Sequence, residues 1–342
     1  MNRKSQKCKI VFFGTPQFAA LVLQKLIEEK LSPKLVITAP DKPVGRKQIL
    51  TPSPVKILVQ KNKIPTATLS KIRDNREILD KIRKLDPDLI VVAAYGKILP
   101  KELLDIPKYG SLNVHASILP KYRGASPIQT AILAGETETG VTIILMDEKM
   151  DEGNIIALKK AAIEPKDTYQ SLSEKLAQIG ADLLAETIYL YLSWCEAGAK
   201  RAKPKGRTGL SGHWITSGES ASNKTPNIKN KSLRLNKQFF LPSLPQNHSK
   251  ATYTKIIKKE DGQIDPNNPP KAEKLDRMIH ALYPWPGVWT RYQISDGRYQ
   301  LIKFLPNDPF LIQPEGKRPM TIKEFLNGHP EAKFWLEKIV GA

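Results

Sequence analysis

The chain has 342 residues with 40% apolar content, a length that accommodates about two domains with buried cores. Two cysteines, Cys8 and Cys195, argue against a disulfide framework, and no apolar run approaches the ~20 residues that a membrane span needs, so a cytoplasmic protein is expected. The formal charge of +20 attracts polyanions, which makes nucleic acid the natural partner, and residues 201–250 alone carry ten basic side chains against one acidic.

Taken in order, MNRKSQKCK leads straight into a buried strand, Lys9 to Phe13, with no signal-peptide core. Gly14-Thr15-Pro16 turns the chain into an amphipathic helix that ends near Lys30. This βα unit lacks the G-x-G-x-x-G of a dinucleotide site, so no dinucleotide is expected. Leu35 to Thr38 is a second strand. The segment APDKPVGRKQILTPSPVK follows it as a mobile basic loop that carries Lys42, Arg46 and Lys47. A helix from Arg76 to Leu85 precedes the continuous apolar strand Asp88 to Ala94, a pattern typical of a parallel sheet covered on both faces.

The stretch from Ser111 to Ile156 concentrates the chemistry. Ser111 to His115 alternates as a strand, which puts Asn113 and His115 on one face. A turn-rich loop with Pro120, Arg123 and Gly124 leads to a helix over Ala125–Leu133. The strand Val141–Met146 then delivers Asp151, and the alternation of strands and helices predicts a doubly wound α/β domain. In an open parallel sheet, ligands bind outside the carboxyl ends of the strands, where this reading places all three polar groups. Each alone fits a structural role as well: a turn cap, a half-buried histidine, an Asx-turn. No His/Cys/Asp spacing of metal-ligand type is present, so no metal is expected.

Asn154 to Ile163 reads as a hairpin strand, and an amphipathic helix opens at Asp167-Thr168 and runs to about Glu196. Residues 201–250 read as a basic, flexible linker in which Trp214, Phe239 and Phe240 are local anchors at most. Order returns at Ala251 with a helix over Ala272–Tyr283, a rigid PWPG turn and short strands that fit a small barrel. The division expected is therefore 1–200, 201–250 and 251–342.

The Asn-x-His of NVHASILPKYRGASPI and the aspartate of MDEKMDEGNII resemble the signature of the folate-dependent formyltransferases. The resemblance implies a Rossmann-like catalytic domain and 10-formyltetrahydrofolate as cosubstrate. It also implies formyl-transfer roles for Asn113, His115 and Asp151, with Gly96, Lys97, Ile98 and Leu99 at the pterin and Ser117, Ile118, Leu119 and Pro120 along the folate. PDKPVGRKQILTPSPVK is similar to the loop of methionyl-tRNA formyltransferases that follows the acceptor arm of tRNA, which implies tRNA contacts from Lys42, Arg46 and Lys47. ATYTKIIKKEDGQID and QPEGKRPM resemble the opening and close of that family's C-terminal domain, which implies an OB-like tRNA-binding barrel. Residues 205–241 are an insertion relative to the family.

Because sugar and glycinamide formyltransferases are expected to lack this C-terminal domain, initiator methionyl-tRNA is the expected acceptor and a monomer the expected unit. The reaction implied is attack of the methionyl α-amino group on the formyl carbon. Asn113 and His115 would then donate to the oxyanion and Asp151 would favour the imidazolium. The alternatives are a formyltransferase or formyl-folate hydrolase acting on a small molecule, such as an amino sugar, and a non-catalytic RNA-binding relative.

Overall fold

The computed structural model describes residues 8–45, 47–73, 75–201, 239–293, 297–307 and 309–340. Strand β1 (Ile10–Gly14) is buried along its whole length, and its side chains divide by parity between two cores. Ile10 and Phe12 join helices α1 (Gln17–Glu28) and α6 (Tyr169–Arg201), whereas Val11 and Phe13 join α3 (Arg76–Leu85) and the short α4 (Lys101–Leu104). Period-two alternation with apolar residues on both faces requires helices above and below, and the fold supplies them.

Five strands run parallel. β2 (Leu35–Thr38) and then β5 (Thr66–Thr68) lie on one side of β1, and β6 (Leu89–Ala93) and then β7 (Ser111–His115) lie on the other. The strand order reverses between β1 and β6, where Gly14 pairs with Ala93. A Cβ on Gly14 would sit 2.6 Å from the Ala19 Cβ and 2.9 Å from the Ala93 carbonyl, so only glycine fits this close crossing. Between β2 and β5, residues 42–51 are not a plain loop. β3 (Lys42–Val44) and β4 (Ile49–Thr51) pair as an antiparallel hairpin, which is tied down where Lys56, on α2 (Pro54–Lys61), bonds both Asp41 oxygens at 2.8 Å.

The sheet is mixed rather than wholly parallel. After β7 come the two-residue β8 (Arg123–Gly124), helix α5 (Pro127–Ala134) and β9 (Glu138–Leu145). β9 pairs antiparallel with β7, and β10 (Ile155–Ala162) and β11 (Phe239–Leu244) continue antiparallel to the edge. The expected 201–250 linker is thereby corrected at its far end, because main-chain pairing with β10 incorporates residues 239–244 as a sheet strand. Residues 202–238, Trp214 among them, lie outside the described residues.

The chain then passes through β12 (Tyr253–Thr254), which pairs with β8, and enters helix α7 (Ala272–Leu282), which packs on α5. A three-stranded antiparallel sheet follows, β13 (Val288–Gln293), β14 (Tyr299–Leu305) and β15 (Leu311–Pro314). Its inner face buries Val288, Ile302, Phe304 and Ile312. α8 (Ile322–Gly328), opened by a Thr321–Glu324 capping box, and α9 (Lys333–Val340) close the region with Phe325 and Leu336. Among the described residues no helix is long and apolar enough to cross a membrane.

Candidate active site

On β7, Leu112 and Val114 point into the core shared with α6, and Asn113 and His115 project from the opposite face. Asp151 arrives by a route the sequence did not suggest. Because β9 is antiparallel to β7, Leu145 at its end lies beside Leu112 near the start of β7, not at the carboxyl end of the parallel strands. The β9–β10 loop must therefore fold back over the sheet. Gly153 allows this by lying flush against β9, where a Cβ would fall 1.9 Å from the Leu145 carbonyl oxygen, and Asp151 turns with a φ of 55°.

The three groups meet. Asp151 Oδ1 accepts from the Asn113 amide at 3.2 Å, and Oδ2 accepts from the Gly124 backbone N–H at 2.8 Å. His115 Nδ1 lies 3.6 Å from Oδ2, while its Nε2 faces the Tyr122 carbonyl at 3.0 Å. Both ring nitrogens thus look at oxygen acceptors, and the ring is buried. Tyr122, with φ 62°, directs its carbonyl at the ring while its hydroxyl donates to Glu136 at 2.6 Å. Burial and that carboxylate push the phenol up to about 12.

The segments expected at a folate are of two kinds. Residues 95–100 leave the carboxyl end of β6, with Ile98 78% exposed and Gly96, at φ 75°, facing open space. Lys97 donates to the carbonyls of Leu69 and Ser70, and burial together with nearby Lys42 holds its ammonium below the usual lysine range. By contrast, Ser117 and Leu119 are buried. The Ser117 hydroxyl donates to the Lys121 carbonyl at 2.7 Å, and Thr142 bridges the Ser117 carbonyl and the Leu119 N–H. Only Ile118 and Pro120 of that quartet keep partly exposed side chains, Pro120 following a cis peptide bond. Lys42 and Lys47 are exposed on the β3–β4 hairpin; Arg46 lies outside the described residues.

Several groups around the site were invisible to sequence reading. Arg123, fully buried, bonds Gln246, the Tyr253 hydroxyl at 3.1 Å and Glu152 at 3.1 Å. Burial works against the Glu152 carboxylate, but the Tyr253 hydroxyl and the charges of Arg123, Lys149 and His248 outweigh it and hold the group below the usual carboxylate range. Gln246 lies 123 positions from Arg123, beyond the reach of any local sequence pattern. Among the described residues, no cluster of three His, Cys, Asp or Glu side chains forms a metal cage.

Comparison with known proteins decides the family. Residues 8–188 match the formyl transferase family model and residues 256–309 match the formyl transferase C-terminal domain. Methionyl-tRNA formyltransferase of Caldicellulosiruptor saccharolyticus is 37% identical over 94% of this chain and 96% of its own length. The chain belongs to the methionyl-tRNA formyltransferase family. Methionyl-tRNA formyltransferase of Halalkalibacterium halodurans is 36% identical over 94% of both chains. Among solved structures, a sugar N-formyltransferase from Shewanella sp. FDAARGOS_354 aligns with a TM-score of 0.55 over 88% of this chain and 98% of its own, at 15% identity.

That last likeness, of fold alone, corrects one expectation. A match over 88% of this chain cannot be contained in its first 201 residues, so an extended C-terminal region does not by itself separate tRNA from sugar formyltransferases.

Proposed function

We propose that the chain transfers the formyl group of 10-formyltetrahydrofolate to the α-amino group of methionine esterified to initiator tRNA, the step that prepares this tRNA for translation initiation. The observation that carries the acceptor is the 37% identity with a methionyl-tRNA formyltransferase along 94% of the chain. Asn113, His115 and Asp151 then have roles that their geometry supports.

The neutral amine attacks the formyl carbon, the N10–C bond breaks, and the proton released from the amine replaces the one delivered to N10. An α-amino group titrates near 7.7–8.0 and an adjacent ester lowers it, so the nucleophile needs no covalent activation at pH 7. Asn113 has two amide hydrogens. One is engaged by Asp151 Oδ1, which turns the nitrogen side toward the site and leaves the other for the oxyanion. His115 faces Asp151 through Nδ1, and its Nε2 hydrogen exchanges the Tyr122 carbonyl for the oxyanion or the leaving N10. Asp151 orients both donors.

We read residues 1–200 as the catalytic unit, with β11 completing its sheet, and 251–342 as a tRNA-binding unit of OB-like type, a reading supported by its three-stranded antiparallel sheet. The folate lies along Gly96–Leu99 and over Ser117–Pro120, reached through main chain and the exposed Ile98. Lys42, Arg46 and Lys47 contact tRNA phosphates, and Arg46, a fork always charged, suits that task. Incubation with 10-formyltetrahydrofolate and methionylated initiator tRNA is the test. Formylmethionyl-tRNA is the expected product, and formylation of an amino sugar with no tRNA product contradicts the reading.

A further inference from the structure

We propose that Gln246 is a positioning residue for this formyl transfer: anchored on buried Arg123, it sets the backbone of the Asp151 loop and so the place of the carboxylate. The inference rests on the function proposed above. Gln246 is 6% exposed and follows β11, and every hydrogen-bonding position of its amide is used. Its Nε2 donates to the Asp151 carbonyl at 2.9 Å and to the Gly153 carbonyl at 2.7 Å. Its Oε1 accepts from Arg123 Nε at 3.2 Å and Nη2 at 2.7 Å.

This arrangement acts where the carboxylate's own bonds cannot. Asn113, Gly124 and His115 hold the Asp151 side chain, but the residue has a φ of 55°, a left-handed backbone state uncommon for residues with a side chain and favoured where surrounding contacts impose it. Gln246 supplies that imposition, gripping the loop on both sides of Glu152. Arg123 supports it with a guanidinium at 0% exposure that also meets Glu152 and the His248 ring, the latter at 3.1 Å. Tyr253, 60% exposed, closes the group by donating to Glu152 at 3.1 Å. The segment from Gln246 to Tyr253 is therefore part of the catalytic framework although it follows residues 202–238 in the chain. Through it, the geometry of Asp151 depends on the C-terminal half of the protein.

Gln246→Glu in the full chain tests this. The variant keeps an oxygen on Arg123, so the buried cation stays paired, but it deletes both N–H donors and sets a carboxylate against two carbonyls. The expected result is a folded protein whose kcat for methionyl-tRNA formylation falls about tenfold to a hundredfold, with KM for both substrates within about threefold, because displacement of a catalytic group by ~1 Å costs rate more than binding. Gln246→Met, which fills the same space with no hydrogen bond, is expected to give the same kcat loss. A merely structural role would lower the thermal midpoint and leave kcat per folded molecule unchanged. That result in either variant, or failure of both to fold, overturns the proposal. Wild-type protein inactive on methionyl-tRNA overturns the function reading instead.

Discussion

The backbone N–H of Gly124 donates to the carboxylate of Asp151 at 2.8 Å across 27 positions of chain, and this bond joins β8 to the loop after β9. With Asn113 on the other oxygen, it fixes the Asp151 carboxylate beside an amide and an imidazole. The order follows from sequence: only glycine tolerates φ 108° at position 124, where a Cβ would lie 2.8 Å from the Thr254 carbonyl.

Asn113→Ala should reduce kcat about a hundredfold, equivalent to about 3 kcal/mol of transition-state stabilisation, with little change in either KM. The position is half-buried on a strand whose core face is untouched, so the fold should survive. Single-turnover formylation checks this, and a rate within about threefold of wild type would remove the oxyanion role.

Gly153→Ala should destabilise the protein by about 1–3 kcal/mol and lower kcat as well. The new methyl meets main chain, the Leu145 carbonyl at 1.9 Å, which has no rotamer with which to yield. Denaturant unfolding and initial rates on the same sample report the two effects, and an unchanged midpoint would mean that the loop does not lie flush against β9.

The legible parts of this fold were those written locally. IVFFG and LIVVA are continuous apolar runs that declare strands buried on both faces, and the two-residue alternation of SLNVH places Asn113 with His115. An apolar run carries no direction, however, so β9 reads the same whether parallel or antiparallel, and its reversal sets the path of the Asp151 loop. The β3–β4 hairpin was hidden by its Pro, Gly and Lys content, and β11 by a proline within FFLPSL next to a polar basic stretch. Arg123 and Gln246 sit 123 positions apart, and no short-range pattern announces such a pair.

Glu152 gives the account a pH signature. Its carboxyl is held below the ordinary range, so it contributes stability that is complete above the unfolded-state value of about 4.3 and is lost as pH falls through the lower folded value. Glu152→Gln should therefore flatten the dependence of the thermal midpoint on pH below about 5 while lowering the midpoint at pH 7. A parallel pH curve for variant and wild type would contradict the pairing with Arg123 and Tyr253.

The thiols should be inert. Burial pushes Cys8 up to about 12 and Cys195 to about 11, so neither forms much thiolate at neutral pH. Native protein treated with iodoacetamide at pH 7.5 should resist alkylation, and denatured protein should take up label at both positions. Rapid native labelling of either would show that its burial is transient.

Lys42→Ala and Lys47→Ala should each weaken tRNA binding and reduce the salt slope of log K by about one, leaving KM for the folate unchanged. Both residues are exposed on the β3–β4 hairpin, so stability should not change. A salt slope identical to wild type would exclude a phosphate contact at that lysine.

The most direct measurement is the initial rate of formyl transfer from 10-formyltetrahydrofolate to methionylated initiator tRNA, taken at 50 and 200 mM salt beside an amino-sugar acceptor. Robust transfer to tRNA that weakens as salt rises, with no transfer to the sugar, is the predicted result. Salt-insensitive turnover of the sugar, or folate hydrolysis with the tRNA unmodified, would contradict it.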